Sequence, residues 1–558
     1  MAYFLKKAIL KGRTYLSICE SFYSSEKKGT AHRTYKSLKS VETLKESGIE
    51  DPIAFFQKEV DRMNKERNAS KEPKICDVTP VLYMGCFPLN AIMTKLNTKP
   101  VIDLFSAACG MNVDLYSVLS SLVYARAVKP CSKRRTFHEV LPNLYSMSEC
   151  SYDQLLDVLV YLGNNYEKFV EIFNERIKKV YGRNTEKTYF DTTNFYFEID
   201  REDDFRRKGP SKENRHDPLV GLGLLLDRDL IPLGLSLFPG NESEKPELRK
   251  IVTQLKKRNS IEGRTIHVAD KGLNCAENIV SATLNGDGYL FSKSLKMSST
   301  VERDWATNES GWKVVKDKAG NTLYYYKSCT GEFPYNVIRD GKTKTVEMPE
   351  KRVVTYNPTL ARKQKFEIEK MVTKAKNLSL SKAKKEEYGD SSKYVKFEGK
   401  DGSKAKAILN QEAIDKDKQT AGFNMLVTSE IKMSEEEIYK TYHQLWRIEE
   451  SFRYMKSDLD ARPVFLQKEE SIKGHFLVCY LTVLLERLFQ FKELKDRFAT
   501  SEINDFIKEF IVVKSDHCYI NTMADSELAK HLETETGLPI RNVHLSETKL
   551  RTIMNYRF

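Results

Sequence analysis

The apolar positions change period several times along the chain, and each change marks a candidate element. Near the start, Tyr3, Phe4 and Leu5, then Tyr15, Leu16 and Ile18, form short β-type runs separated by basic turns, as in a small hairpin region. From about 100 to 182 the spacing becomes helical. Ser151 with Gln154 three residues on is a capping-box signature, followed by Leu155, Leu156, Leu159 and Leu162, and Gly163 is expected to end that helix. A second helix is predicted through Tyr166, Phe169, Phe173, Ile177 and Val180, stopping at Gly182. Residues 188–199 are aromatic and β-branched and read as a strand; 219–226 and 230–238 read as two apolar strands joined by a short turn. An amphipathic helix follows over 245–257, a short buried strand over 265–269, a helix over 275–284 and a strand over 289–292. Three strands in hairpin order, then helix, strand, helix, strand, predict an α/β fold with a mixed sheet and helices on its faces.

Residues 296–430 break that alternation. Short strand candidates such as 322–326 and 352–356 sit among lysine-rich segments, the densest from Lys363 to Lys385, and predict an inserted, mainly β subdomain with a helical arm. Helical periodicity returns from Glu435, and 471–491 is a strongly apolar helix. The expected organisation is 1–50 hairpin region, 51–186 mainly helical, 187–295 first part of the core, 296–430 basic β-rich insertion, 431–495 second part of the core, and 496–558 a C-terminal region. With 558 residues, about three to four folded units are expected.

Composition narrows the class. Apolar residues are 40% and charged residues 30%, which excludes a disordered tail, and the apolar run 476–485 falls short of the ~20 residues of a spanning helix. Lys6 and Lys7 follow a very short apolar start, an argument against a secretory signal. Ten scattered cysteines without Cys-x-x-Cys spacing read as reduced thiols in a cytosolic protein. The net charge of +13 favours a polyanionic partner without specifying one.

Four places carry candidate chemistry. Lys133, Arg134 and Arg135 form a basic cluster that reads either as a solvated turn or as a phosphate contact. Asp191 interrupts the aromatic run 189–197, where a carboxylate either points to solvent or has a functional partner. Asp270 ends the 265–269 strand before Lys271 and Gly272, where open α/β sheets place ligands and where an Asp also caps a following helix. Tyr442, Glu449 and Lys456 are spaced by seven beside Leu445, Trp446, Ile448, Phe452 and Met455, so they lie on or beside a buried stripe, or else form a solvated Glu–Lys ladder.

The stretch from Tyr442 to Lys456 resembles the helix signature of DDE transposases of bacterial insertion sequences, in the branch where Tyr, Arg, the catalytic Glu and Lys recur at fixed spacing. Tyr442, Glu449 and Lys456 match; the Arg position falls on Leu445, a departure, although Arg447 and Arg453 lie nearby. Asp191-Thr192-Thr193 and Ala269-Asp270-Lys271-Gly272 resemble the family's two catalytic Asp strands, and Phe238-Pro239-Gly240-Asn241 with Glu244-Lys245 resembles its turn after the third strand. The similarity covers roughly 187–490.

The resemblance implies a ribonuclease H-like mixed-sheet core, a β-rich insertion in it, and a mainly helical, DNA-binding region before it. It makes Asp191, Asp270 and Glu449 the catalytic residues and the ligands of two Mg²⁺ or Mn²⁺ ions, hard cations suited to oxygen donors. Tyr442, Lys456 and Arg453 are then expected at the DNA, with Arg206, Arg207, Lys208, Lys212 and Arg215 on the loop after the Asp191 strand. Trp305 and Trp312 are the candidates for stacking on a flipped base, with a packed core tryptophan the competing reading. The implied activity is cleavage of element ends and their joining to target DNA. The partners are double-stranded DNA, at the terminal inverted repeats and the target, and a second copy of the chain. The implied location is the cytoplasm, at the nucleoid. A metal-dependent nuclease of the same fold without strand transfer, and a non-catalytic DNA-binding protein derived from a transposase, are the alternatives.

Overall fold

Period-two and period-3.6 apolar patterns meet in a mixed α/β architecture. The computed structural model describes residues 2–24, 29–69, 80–109, 113–145, 149–211, 216–339, 341–380, 385–398, 406–462, 464–515 and 518–558. Lys212 and Arg215 lie outside the described residues, as do Lys382 and Lys384 of the lysine-rich stretch. Contacts divide the chain into two units, Met1–Thr79 and Pro80–Phe558.

The first unit is a three-stranded antiparallel sheet, Tyr3–Leu10, Arg13–Ser24 and Gly29–Ser40, with helices Val41–Glu46 and Pro52–Ala69. Its first turn has positive φ at both Lys11 (49°) and Gly12 (79°), the backbone that a two-residue hairpin loop needs to match strand twist.

In the second unit, nine strands form one sheet: β1 Lys187–Tyr196, β2 Leu219–Leu226, β3 Pro232–Pro239, β4 Ile266–Ala269, β5 Gly288–Lys293, β6 Lys313–Lys316, β7 Thr322–Arg339, β8 Lys342–Tyr356 and β9 Phe423–Thr428. Their order is β6-β7-β8-β9-β5-β4-β1-β2-β3. Strand β4 runs parallel to β1 and to β5; the other neighbours are antiparallel. Strands β6 to β9, all within 296–430, continue the core sheet, because β9 pairs with both β8 and β5.

Helices cover both faces: α1 Tyr152–Asn164, α2 Tyr166–Tyr181, α3 Lys245–Lys257, α4 Ala276–Leu284, α5 Pro358–Leu380, α6 Glu435–His443, α7 Trp446–Arg453 and α8 Glu469–Leu488. Strand alternation sorts the sheet residues between two cores. Tyr189, Phe195, Leu224, Val268 and Leu290 join Leu159, Phe173, Ile438, Ile448, Phe452 and Phe476 on one face. Phe190, Leu225, Ala269 and Phe291 join Leu248, Ile251 and Ile279 on the other. Almost all of α8 is buried, and among the described residues no helix is long and apolar enough to cross a membrane.

One helix keeps its sequence reading and another segment departs from it. The capping box of Ser151 and Gln154 is present, and α1 ends at Asn164, one residue past Gly163. A Cβ at Gly163 would sit 1.7 Å from the Glu470 carbonyl oxygen, and one at Gly474 would sit 2.1 Å from that of Leu159. Both glycines permit the close crossing of α1 and α8. The Tyr442–Lys456 segment is not one continuous helix. The Leu445 and Ile448 amides bond back three residues, to Tyr442 (3.1 Å) and Leu445 (2.9 Å), which tightens a turn between α6 and α7. A π-turn, Tyr454–Asp458, then carries Lys456.

Candidate active site

Parallel pairing of β1 with β4 matches Tyr189 to Val268 and Phe190 to Ala269. The residue after each last matched pair is an aspartate: Asp191 within β1 and Asp270 just past the end of the neighbouring strand β4, strands in such pairs lying ~4.8 Å apart. Alternation fixes their face. Asp191 falls in phase with Tyr189 and Phe195, Asp270 with Ile266 and Val268, and all four hydrophobic residues belong to the core beneath α6 and α7. Asp191 is half-buried and accepts a hydrogen bond from the Thr192 amide at 2.7 Å. Beyond Ala269 the chain turns, with the Leu273 amide bonding the Asp270 carbonyl at 3.1 Å, so Asp270 tops its strand rather than capping α4, whose N-cap is Cys275.

The tandem Glu449-Glu450 divides its labour. Glu450 accepts from Arg447 (3.3 Å), Arg487 (3.2 Å) and Thr500 (3.0 Å), and its side chain is 11% exposed. That ion-pair network locks α7 onto α8. Glu449 is exposed, while its neighbour Ile448 anchors α7 in the core. Arg447 is committed elsewhere: it also pairs with Asp496 (3.0 Å) and lies 4.1 Å from the Trp446 ring centroid. Trp446, read as part of a buried stripe, is 47% exposed because the α6–α7 turn rotates it outward. Leu445, at the departed Arg position, is buried in the core, so no guanidinium faces the acids from there. Arg453 is exposed and forms no side-chain hydrogen bond or ion pair among the described residues.

Tyr442 ties the arrangement together. Burial pushes its phenol up to about 12, a hydrogen bond to Ser292 opposes the rise, and the charges of Asp270, Glu449 and Asp191 add to it. One hydroxyl is therefore within electrostatic reach of three carboxylates drawn from residues 191, 270 and 449. Lys456 lies 5.5 Å from the Phe195 ring and Arg462 lies 5.3 Å from the Tyr196 ring, both toward the C-terminal end of β1.

A fourth carboxylate, Glu244 at the start of α3, hydrogen-bonds the Thr192 hydroxyl, and a Cβ on Gly272 would lie 3.1 Å from its Oε1. It reaches both Asp strands from the opposite face; its only sequence signal was the turn after the third strand. A cavity of about 460 Å³ that includes Lys271, next in sequence to Asp270, is also lined by Lys293, Lys296, Lys363 and Lys393 against Glu367 and Asp417. Lys293 pairs with Glu302 (2.7 Å) and Lys296 with Asp417 (2.7 Å), whereas Lys271 and Lys363 form no ion pair among the described residues.

Other expected DNA contacts are placed differently. Arg206 is tied to Asp203 (2.5 Å) and Arg207 to Asp204 (2.8 Å), both local pairs three residues apart; Lys208 is exposed. Trp305 and Trp312 are half-buried against the second core. The Lys327 ammonium lies 5.6 and 4.6 Å from their rings, and the Trp312 indole N–H donates to the Asn308 carbonyl at 2.8 Å.

The donor set of Asp191, Asp270 and Glu449 is all oxygen and anionic, the chemistry that Mg²⁺ and Mn²⁺ prefer. Among the described residues no group of three His, Cys, Asp or Glu side chains is already drawn together closely enough to hold a metal ion. In comparisons with known proteins, no family model matches the chain and no curated protein matches its sequence.

Proposed function

We propose that this chain is a DNA transposase of the DDE kind, with a ribonuclease H-like core that cleaves element ends and joins them to target DNA. The strand order β3-β2-β1-β4-β5, three antiparallel strands followed by two parallel ones, is the arrangement such cores use. The observation that carries the reading is the register of β1 and β4, which sets Asp191 beside Asp270 on the face covered by the helix of Glu449. Like charges brought into one site repel one another, and a cation shared by the three carboxylates would relieve that repulsion.

Asp191, Asp270 and Glu449 would hold Mg²⁺ or Mn²⁺, and two such ions, when bound, supply Lewis-acid activation and charge neutralisation at the reacting phosphate. The chain's own residues then position the strand. Lys271, next to Asp270 in the chain, Lys363 in the same cavity, and Lys456, toward the end of β1, grip backbone phosphates. Tyr442 stays protonated throughout the working pH range and donates its hydroxyl near the acids, while Ser292 orients the ring. The same site serves water as nucleophile for nicking and a DNA 3′-hydroxyl for strand transfer. Because two ends must meet one target, the enzyme acts as a dimer on nucleoid DNA.

Incubation with Mg²⁺ and duplex DNA carrying terminal inverted repeats tests the proposal. Nicked and joined products are expected, and Asp191→Asn should abolish both while DNA binding persists. Nicks without joining would reduce the protein to a nuclease, and binding without nicks would refute catalysis.

A further inference from the structure

Past the Lys456 turn, Asp460 and Phe465 line one side of a cavity of about 380 Å³ whose other side includes Arg126, Lys133, Arg134 and His475. The sequence marks Lys133 as part of a basic cluster; in the fold it is 6% exposed, a burial that lysine rarely tolerates without a counter-charge. Arg126 is 4% exposed and His475 5%. The Arg126 guanidinium spends its donors on backbone, giving to the Leu459 carbonyl at 3.1 Å and the Cys131 carbonyl at 3.0 Å. His475 Nε2 lies 3.2 Å from the Ala461 carbonyl, which only accepts, so Nε2 carries the proton and Nδ1 is the acceptor. Lys133 Nζ, 3.2 Å from that Nδ1, donates to it and keeps further N–H bonds to offer.

No carboxylate among the described residues pairs with Arg126 or Lys133, and the one acid on the cavity wall, Asp460, is exposed. Two buried cationic groups without an anion are an unstable arrangement that an incoming anion relieves. Burial, then the Arg126 charge, holds Lys133 down to about 7, and an anion would recharge it. At the cavity's edge Arg134 is exposed, and Phe465 is 73% exposed, a large aromatic face held open to solvent. A cationic floor beside a free aromatic is the combination that grips a single strand, by phosphate and by stacking.

We infer that this cavity is a phosphate-binding site for a nucleic-acid strand, with Lys133 and Arg134 on the phosphate and Phe465 against the adjoining base or sugar. The phosphate site follows from the cavity and its uncompensated charge; the strand as its source rests on the DNA-processing reading above.

Amine acylation of the full-length protein, read by mass spectrometry, tests the site. A single-stranded oligonucleotide in about tenfold excess over its Kd should slow Lys133 acylation about tenfold, relative to exposed lysines in the same digest. Inorganic phosphate at matched ionic strength should protect far less. Lys133→Met should lower the slope of log affinity against log salt by about one. Protection by inorganic phosphate alone overturns the strand as the source, and no protection by either probe overturns the site. Asp191→Asn should leave the protection unchanged, so failure of the catalytic proposal and failure of this one are read separately.

Discussion

Adjacent identical residues can do opposite work, and Glu449 and Glu450 are the case here. Glu450 neutralises Arg447 and Arg487 within a nearly closed network, whereas Glu449 is left exposed on the face of the two aspartates. Glu449→Gln should therefore cut DNA cleavage by about 10²–10³-fold, comparable to losing one preorganised transition-state contact, with the melting temperature unchanged. Glu450→Gln should do the reverse: it breaks a buried pair, costs about 3–5 kcal/mol in denaturant unfolding, and spares cleavage per folded molecule. Equal loss of cleavage from both changes, at equal stability, would refute the division.

A second acid makes a claim about pH. Glu486 lies inside α8, its Oε1 without a hydrogen-bond partner among the described residues; burial raises its carboxyl to about 8, and Tyr454 beside it pulls the other way. The folded state holds a proton that an unfolded carboxyl, at its ordinary 4.5, has already released. Stability therefore falls as pH rises from about 4.5 to about 8, and the loss is complete above that. Glu486→Gln, which cannot ionise, should melt higher than the parent at alkaline pH, with the gap closing toward pH 4.5. A gap that stays constant across that range would show that Glu486 does not titrate in the folded protein.

At the scale of elements, the close approach of α1 and α8 depends on two glycines facing two carbonyls. Gly163→Ala puts a methyl group 1.7 Å from the Glu470 oxygen, and backbone cannot yield as a side-chain tip does. Overpacking of this kind costs about 1–3 kcal/mol or more, and should lower the melting temperature without changing cleavage at temperatures where the protein stays folded. The sequence marked the helix end near Gly163 but not what packs on it, because that partner lies about three hundred residues away. The strands of the sheet's middle were legible because alternation and turn residues are local signals. The pairing of β9 with β5 and β8 was not, since it joins segments separated by most of the insertion. The break between α6 and α7 was hidden for a related reason. Spacing by seven suits one straight helix, and nothing local in Gln444-Leu445 announces the tightened turn.

Across the whole second unit, the candidate site was legible as a set of residues but not as a place. Asp191 stood out as a carboxylate inside an aromatic run, Asp270 at a strand end and Glu449 by its spacing of seven, yet only the β1–β4 register and the face shared with α7 relate them. Glu244 escaped because its role depends on Thr192 across the sheet, and Lys133 because burial cannot be read from a run of basic residues. Arg206 and Arg207, conspicuous in the sequence, are largely spent on neighbouring aspartates. Basic character near the acids comes instead from Lys271 and Lys363, which the fold brings to one cavity.

Catalysis at this site requires Asp191, Asp270 and Glu449 to share a cation. An anomalous-difference map from crystals of the protein soaked in Mn²⁺ measures this directly. The predicted result is a strong peak bounded by the carboxylates of Asp191 and Asp270, with Glu449 turned toward it, lost in Asp191→Asn. A well-diffracting crystal with the three acids free of metal, or with Mn²⁺ bound only elsewhere, would contradict it.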